Sequence, residues 1–239
     1  MKTKKVQLLL LAFMCIGFLS FSQQSKEKVY AAYDQLMGLA NTSLYNGTEF
    51  RDLFLYTDGS NRFFKHQGYV LGTIVYEEQF YPEVLLKYDL LEDNVIIRSA
   101  DNMSVFNTKL LPDNISSFSI EGRDFVRLMN TTMPFENNGF FEKAYVGEEL
   151  TLYIKQAKRV SRKIIGKKIE YSFKGDNKYI VYYKNTYNRI DTPKDVISVF
   201  PELEKRQVRS FYKSYKEVYK KDLDAFMVSL IKYLEGYIN

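Results

Sequence analysis

The sequence predicts an α+β fold: an antiparallel β-sheet, or a partly closed β-barrel, followed by a C-terminal helical segment. Between residues 48 and 184, short aromatic and β-branched runs alternate with Gly, Asn, Asp and Pro, the texture of strands and turns. The turns between these runs are too short for the crossover that parallel strands need, so neighbours pair as antiparallel hairpins. After Thr192 the apolar period changes from two to three and four, and strands followed by helices in that order mark an α+β domain rather than a doubly wound one.

Residues 1–22 read as an export signal. Lys2, Lys4 and Lys5 precede an apolar run over 8–19, and Ser20 and Ser22 supply small residues at the third and first positions before a cut at Gln23. The run is short for a membrane-spanning helix. Residues 23–39, with Tyr30, Tyr33, Leu36 and Met37, form a short helix or a frayed lead-in. Strands are predicted at 48–56, 63–69, 73–76, 79–81, 84–89 and 94–98, with turns at Glu77-Glu78 and Glu92-Asp93. Further strands at 116–120, 123–129, 139–145, 150–157, 168–173 and 178–184 meet in pairs across Glu121-Gly122, Gly147-Glu148 and residues 175–177.

Thr192, Pro193 and Asp195 then make a helix start: a capping hydroxyl, a proline in the first turn and an acid at the positive end of the dipole. Val196, Ile197, Val199 and Phe200 give that helix its apolar side. A second helix is predicted over 202–214. A third lies behind Asp222, where Leu223, Phe226, Met227, Leu230, Ile231, Leu234 and Ile238 form one apolar stripe. The organisation is a signal peptide at 1–22, a β-rich body with its lead-in at 23–190, and helices at 191–239 packed on the sheet within the same domain.

The single cysteine, Cys15, falls inside the signal, so the mature chain has no thiol and no disulfide staple. A lipid anchor at Cys15 is disfavoured because Phe13 and Met14 precede it and most of the apolar run would lie on the wrong side of the cut. Loss of three signal lysines takes the formal net charge from +5 to +2. That balance gives no concentrated cationic footprint for nucleic acid. The chain has 20 Tyr and 18 Phe but no Trp, and the absence of mature cysteine fits a bacterial periplasm. The Asn-x-Ser/Thr triplets at Asn41, Asn46, Asn102, Asn114 and Asn130 are then chance products of an Asn-rich composition.

Several stretches carry a resemblance: YNGTEF at 45–50, GTIVYEEQFYPEVLLKYDLLEDNVII at 72–97, EGRDFVRL at 121–128, the segment 152–159, and KSYKEVYKKDLDAFMVSLIKYL at 213–234. In the order and texture of these motifs the chain resembles a family of exported proteins from Bacteroidota to which no activity is assigned. The resemblance implies export from a Gram-negative cell and a β-rich body with a helical tail. It carries over no active-site residue.

No catalytic motif is predicted. His66 is the only histidine, no Gly-x-Ser-x-Gly elbow accompanies it, and one imidazole cannot build a zinc site. Of the carboxylates, Glu77, Glu78, Glu83, Asp101, Glu121 and Asp124 read chiefly as acids at turns and strand ends. Asp89, Glu92, Asp93 and Asn94 lack the spacing of a calcium loop and read as a polar turn. A pair of carboxylates across a groove would suit glycoside hydrolysis, although no Trp offers a stacking face. The tyrosines at 179, 182, 183 and 187, and the aromatics Phe211, Tyr212, Tyr215 and Tyr219, either line an apolar cavity or are simply core.

The most suggestive charged feature is Lys155, Lys158, Arg159, Arg162, Lys163, Lys167 and Lys168, seven cations in fourteen residues with no acid among them. Clustered cations raise the local concentration of anions, which suits lipid phosphate, lipopolysaccharide or an acidic partner. The bland alternative is a solvated connection between strands. The expected function is therefore a non-enzymatic periplasmic or surface protein binding an envelope protein, lipid or glycan, with no cofactor and no metal. A carboxylate-dependent hydrolase and an outer-membrane β-barrel are the alternatives; the barrel is disfavoured by short strands and the helical tail.

Overall fold

The computed structural model describes residues 43–54, 56, 58–98, 107–129, 138–201 and 204–238. The expected signal at 1–22 and lead-in at 23–39 lie outside the described residues. The described strands, in chain order, are β1 (Thr48–Glu49), β2 (Val70–Tyr76), β3 (Gln79–Asp89), β4 (Asn94–Arg98), β5 (Asn107–Lys109), β6 (Ile115–Ile120), β7 (Arg123–Leu128), β8 (Gly139–Val146), β9 (Thr151–Lys155), β10 (Lys158–Ile165), β11 (Lys168–Gly175), β12 (Lys178–Tyr183) and β13 (Thr186–Arg189). Eleven of them form one antiparallel sheet in the order β1-β5-β4-β3-β2-β6-β7-β8-β9-β12-β13. The remaining two, β10 and β11, form a separate two-stranded ribbon, to which Tyr56 adds a single parallel bridge at Tyr171.

The sheet curls. Tyr88 on β3 and Phe140 on β8 are four strand spacings apart in the sheet, roughly 19 Å if it were flat. Their ring centroids are 6.2 Å apart. Tyr88 also meets Phe118 of β6 and Phe125 of β7, each at 5.1 Å, so one tyrosine touches three strands across the concave face. Phe64 and Leu44 from the preceding loops fill the remaining space with Ile74, Tyr76, Leu86, Val95 and Ile97. At the rim, Lys155 of β9 reaches Asp93 in the β3–β4 turn, and the Lys158 backbone N–H donates to the Leu90 carbonyl at 3.0 Å. The curve thus brings the β3–β4 turn against the end of β9 without closing the sheet, whose ends β1 and β13 stay apart in the strand order.

Four helices follow: α1 (Pro193–Val199), α2 (Lys205–Ser214), α3 (Lys216–Lys221) and α4 (Leu223–Ile238). Thr192 and Asp195 form the capping box that starts α1, and Asp222 Oδ1 accepts the Ala225 N–H at 2.9 Å at the start of α4. The stripe Phe226, Met227, Leu230, Ile231 and Leu234 docks on Leu150, Leu152 and Ile154 of the β8–β9 hairpin and on Tyr179, Val181 and Tyr183 of β12. No helix among the described residues is long and apolar enough to cross a membrane.

Some elements differ from expectation. The runs 79–81 and 84–89 are one strand, β3, which bends past Pro82 with Glu83 at φ 53° opposite a register shift in β2. Residues 63–69 are not a strand; the Phe64 N–H donates to the Tyr88 carbonyl at 2.8 Å and Phe63 bridges to Asp89, so the segment caps the end of β3. Only Thr48–Glu49 of the 48–56 run pairs in the main sheet. The expected pairing across residues 175–177 is also corrected. β12 pairs with β9, and β11 pairs with β10, an eight-residue strand in the stretch expected to be a connection.

Candidate functional site

Two apolar cores share the concave face, and a polar seam runs between them. On β8, Phe140 and Glu142 face the same side, and past a bulge between Lys143 and Tyr145 that face is continued by Tyr145, which stands opposite Leu152; Phe140 belongs to the aromatic core and Tyr145 packs against the helical one. Glu142 lies between, fully buried. Its Oε1 accepts from Arg123 at 2.8 Å and its Oε2 from Gln156 Nε2 at 2.8 Å. The same Gln156 nitrogen donates to Asp224 Oδ2 at 2.8 Å, and Asp224 also accepts from Asn177 at 3.0 Å and the Tyr179 hydroxyl at 2.7 Å. Burial pushes the Glu142 carboxyl above its ordinary range, with the Gln156 hydrogen bond and the Arg123 charge opposing the shift. A cleft of about 340 Å³ opens here over Phe64, Lys65, Arg123, Glu142, Gln156 and Asp224.

The β10–β11 hairpin rises from this seam. Its base is fixed: the Asp176 N–H donates to the Ala157 carbonyl at 2.8 Å, Asn177 Oδ1 accepts from the Ala157 N–H at 3.2 Å, and Asn177 also donates to Gln156. One face of the ribbon carries Val160, Arg162 and Ile164 opposite Phe173, Tyr171 and Ile169. Near the base this face is covered by Phe54, whose ring meets Tyr171 at 4.8 Å and Phe173 at 5.4 Å, and by the Ser60 hydroxyl, which accepts the Phe173 N–H at 2.9 Å. Farther out, no described residue is shown packed on this face. Ile164 is 72% exposed, Ile165 47% and Ile169 43%. Gly166, at φ 61°, takes the first position of the two-residue turn at the tip, where a side chain would be strained.

The seven cations named from the sequence separate into two groups. Lys155 belongs to β9, where its ammonium lies 2.5 Å from Asp93 Oδ2 and donates to the Phe140 carbonyl at 3.1 Å. Lys158 donates to the carbonyls of Asn61 and Phe63, each at 2.7 Å. Burial pulls both ammonium pKa values down, against the opposing charges of Asp93 and Asp89 respectively. Both lysines, expected on a ligand surface, make internal ties within the body. Arg159 reaches Asp176 at 3.2 Å. Arg162, Lys163, Lys167 and Lys168 are exposed on the outer ribbon and form no ion pair with a described residue; Glu170 stands across from Lys163 in the register.

The other candidates are occupied by structure. His66 Nε2 lies 3.5 Å from Glu121 in an exposed loop. The calcium-like cluster is dispersed: Asp89 is buried against Arg62, Glu92 meets the same guanidinium at 2.8 Å, and Asp93 holds Lys155 and the Tyr88 hydroxyl. Among the described residues no group of three His, Cys, Asp or Glu side chains is placed to hold a metal. Tyr179 and Tyr183 are core under the helices, Tyr182 and Tyr187 pack against each other at 4.7 Å, and Phe211 stacks on Tyr215 at 4.3 Å. The sequence reading missed Glu142 and Asp224; one follows two phenylalanines within β8 and the other reads as an ordinary first-turn acid of α4. No protein-family model, no curated protein and no solved structure matches the chain.

Proposed function

We propose that the protein is an exported, non-enzymatic binding protein of a bacterial envelope, and that it engages an anionic envelope component through the outer half of β10–β11. The observation that carries this reading is the contrast along one ribbon: cations at the base are consumed by internal bonds, whereas Arg162, Lys163, Lys167 and Lys168 form no ion pair with a described residue and surround exposed isoleucines, with Glu170 the one acid in their register. The envelope location rests on residues 1–22 and on the resemblance to exported Bacteroidota proteins.

The test is co-sedimentation of the secreted protein with isolated envelope fragments at low and raised salt. Binding that weakens with salt and is abolished by R162E/K163E/K167E/K168E supports the reading, because exposed charges are screened within about 10 Å at 0.1 M salt. Equal binding by the variant sinks it.

A carboxylate hydrolase is the second reading, favoured by one observation: Glu142 and Asp224 share the Gln156 donor at the edge of a cleft, and the Glu142 pKa is raised. Against it, all four carboxylate oxygens already accept hydrogen bonds from protein donors, which suits a brace between sheet and helix better than a proton donor aimed at a substrate. Glycan turnover abolished by Glu142→Gln with the fold intact would reverse that order. A spanning barrel has no open edge, unlike the described sheet with its ends at β1 and β13.

A further inference from the structure

We infer that the tip of β10–β11 docks on an anionic phospholipid bilayer, its isoleucines entering the headgroup zone while the surrounding cations hold lipid phosphates; this rests on the binding function proposed above and names its partner. The chemistry of the tip selects a bilayer over a protein groove. Ile164 and Ile169 face each other on one side of the ribbon, and Ile165, opposite Lys168, points to the other side. A groove would bury one face and leave the other wet, whereas a fluid interface receives both sides of a wedge.

The backbone suits this as well. Ile164 pairs with Ile169 and Ile165 with Lys168, so the inward-facing backbone groups of the tip are bonded to each other, and those on its outer edges meet water in the hydrated headgroup zone. Arg162, Lys163, Lys167 and Lys168 form a collar just behind and beside the isoleucines. That is the combination of apolar burial and attraction to anionic lipid that holds a protein at an interface. A second copy of the chain fits poorly, because two tips brought together would oppose like-charged collars.

The base gives the tip its reach. Phe54 wedges under Tyr171 and Phe173, and the Arg62 guanidinium lies 4.8 Å from the Phe54 centroid, so the inner half of the ribbon is part of the body. The outer half then projects beyond that contact as a two-stranded ribbon.

The experiment uses the secreted protein and vesicles of phosphatidylglycerol with phosphatidylethanolamine, against vesicles of phosphatidylcholine alone. Wild-type protein is expected to pellet with the anionic vesicles only. The variant I164S/I165S/I169S, which keeps every charge, is expected to lose about tenfold or more in partitioning. The variant R162Q/K163Q/K167Q/K168Q is expected to lose about a hundredfold or more, at roughly fivefold per cation. Because the chain contains no tryptophan, Ile164→Trp is a single reporter whose emission should shift to the blue on anionic vesicles and stay unchanged with soluble glycerol phosphate. Far-ultraviolet circular dichroism confirms that each variant is folded.

Wild-type protein that pellets with envelope fragments but ignores the vesicles overturns the lipid assignment and leaves the broader binding function standing. Protein that ignores both overturns both. A lipid-free dimer dispersed by the serine substitutions assigns the tip to a second copy and likewise overturns the lipid assignment.

Discussion

Glu235 and Gly147 share one small space. The Glu235 carboxylate on α4 lies over the β8–β9 turn, accepting the Glu149 N–H at 2.8 Å and the Leu150 N–H at 3.4 Å, and a Cβ on Gly147 would stand 1.8 Å from its other oxygen. The helix therefore grips the sheet through a carboxylate that only a glycine beneath it admits.

Gly147→Ala is expected to destabilise the protein by about 1–2 kcal/mol, the worth of the hydrogen bonds lost when Glu235 swings away. The side chain is flexible, so the clash itself is relieved cheaply. Glu235→Ala should cost a similar amount, and the double variant hardly more than either single one. Urea denaturation of the three variants measures the coupling. Simple additivity would show that the two residues act separately.

The same contact makes stability depend on acid. Burial alone would raise the Glu235 pKa, but the Glu149 and Leu150 N–H groups and the Tyr145 hydroxyl hold it below the ordinary glutamate range. A depressed carboxylate pKa contributes stability that is present above the unfolded value of about 4.5 and is lost as pH falls through the folded value. Glu235→Gln should thus be less stable than wild type at pH 7, and the difference should shrink below about pH 4.5. A difference that stays constant between pH 7 and pH 3 would contradict this.

Arg62 and Asp89 form a buried ion pair beneath the loop that caps β3, with Arg62 3% exposed and Asp89 fully buried. Removing Asp89 leaves the buried guanidinium with the half-exposed Glu92 as its acidic partner, and removing Arg62 strands the buried carboxylate, so Asp89→Ala is expected to cost about 3 kcal/mol and Arg62→Ala about 3–5 kcal/mol, whereas R62M/D89L should cost far less than the two together. Thermal unfolding followed by circular dichroism distinguishes the two cases.

Asp224 ties α4 to Gln156, Asn177 and Tyr179 at once. Asp224→Ala is expected to lower stability by about 3 kcal/mol and to leave the Tyr179 hydroxyl without its acceptor. Amide exchange locates the damage: α4 and β12 should exchange faster, while β2 and β3 keep their protection. Uniform acceleration through the whole chain would show that the seam is not a local brace.

The sequence made legible whatever is local and one-sided. The α4 stripe, the Thr192 capping box and the turns at Glu77-Glu78 and Glu121-Gly122 all have their chemistry within a few residues, and each stands where its pattern indicates. β10 was hidden because most of both its faces is exposed, so it has no alternation of apolar and polar residues to display. Lys155 and Lys158 look like their five neighbours in composition, and only partners such as Asp93, Asn61 and Phe63, brought close by the curl, show that they turn inward. The seam has the same origin. Glu142 meets Gln156 and Arg123 through strand order, and Gln156 meets Asp224 across 68 residues of sequence. The curl itself is written in Tyr88, Phe118, Phe125 and Phe140 as a set, not in any one strand.

The strands on either side of the basic ribbon, β9 and β12, are direct neighbours in the sheet, with Lys155 opposite Lys178. Everything between those two residues is thus a detour that leaves the body and returns to its starting point. The outer residues 162–169 can lengthen, shorten or change chemistry without altering a single rung of the main sheet, provided that Lys158, Tyr171 and Phe173 keep the inner half on the body and Gln156 and Asn177 clamp the exit. The body is a mount and the outer ribbon an exchangeable tool, so descendants of this chain can acquire new binding preferences by revising about eight residues while the remainder stays as it is.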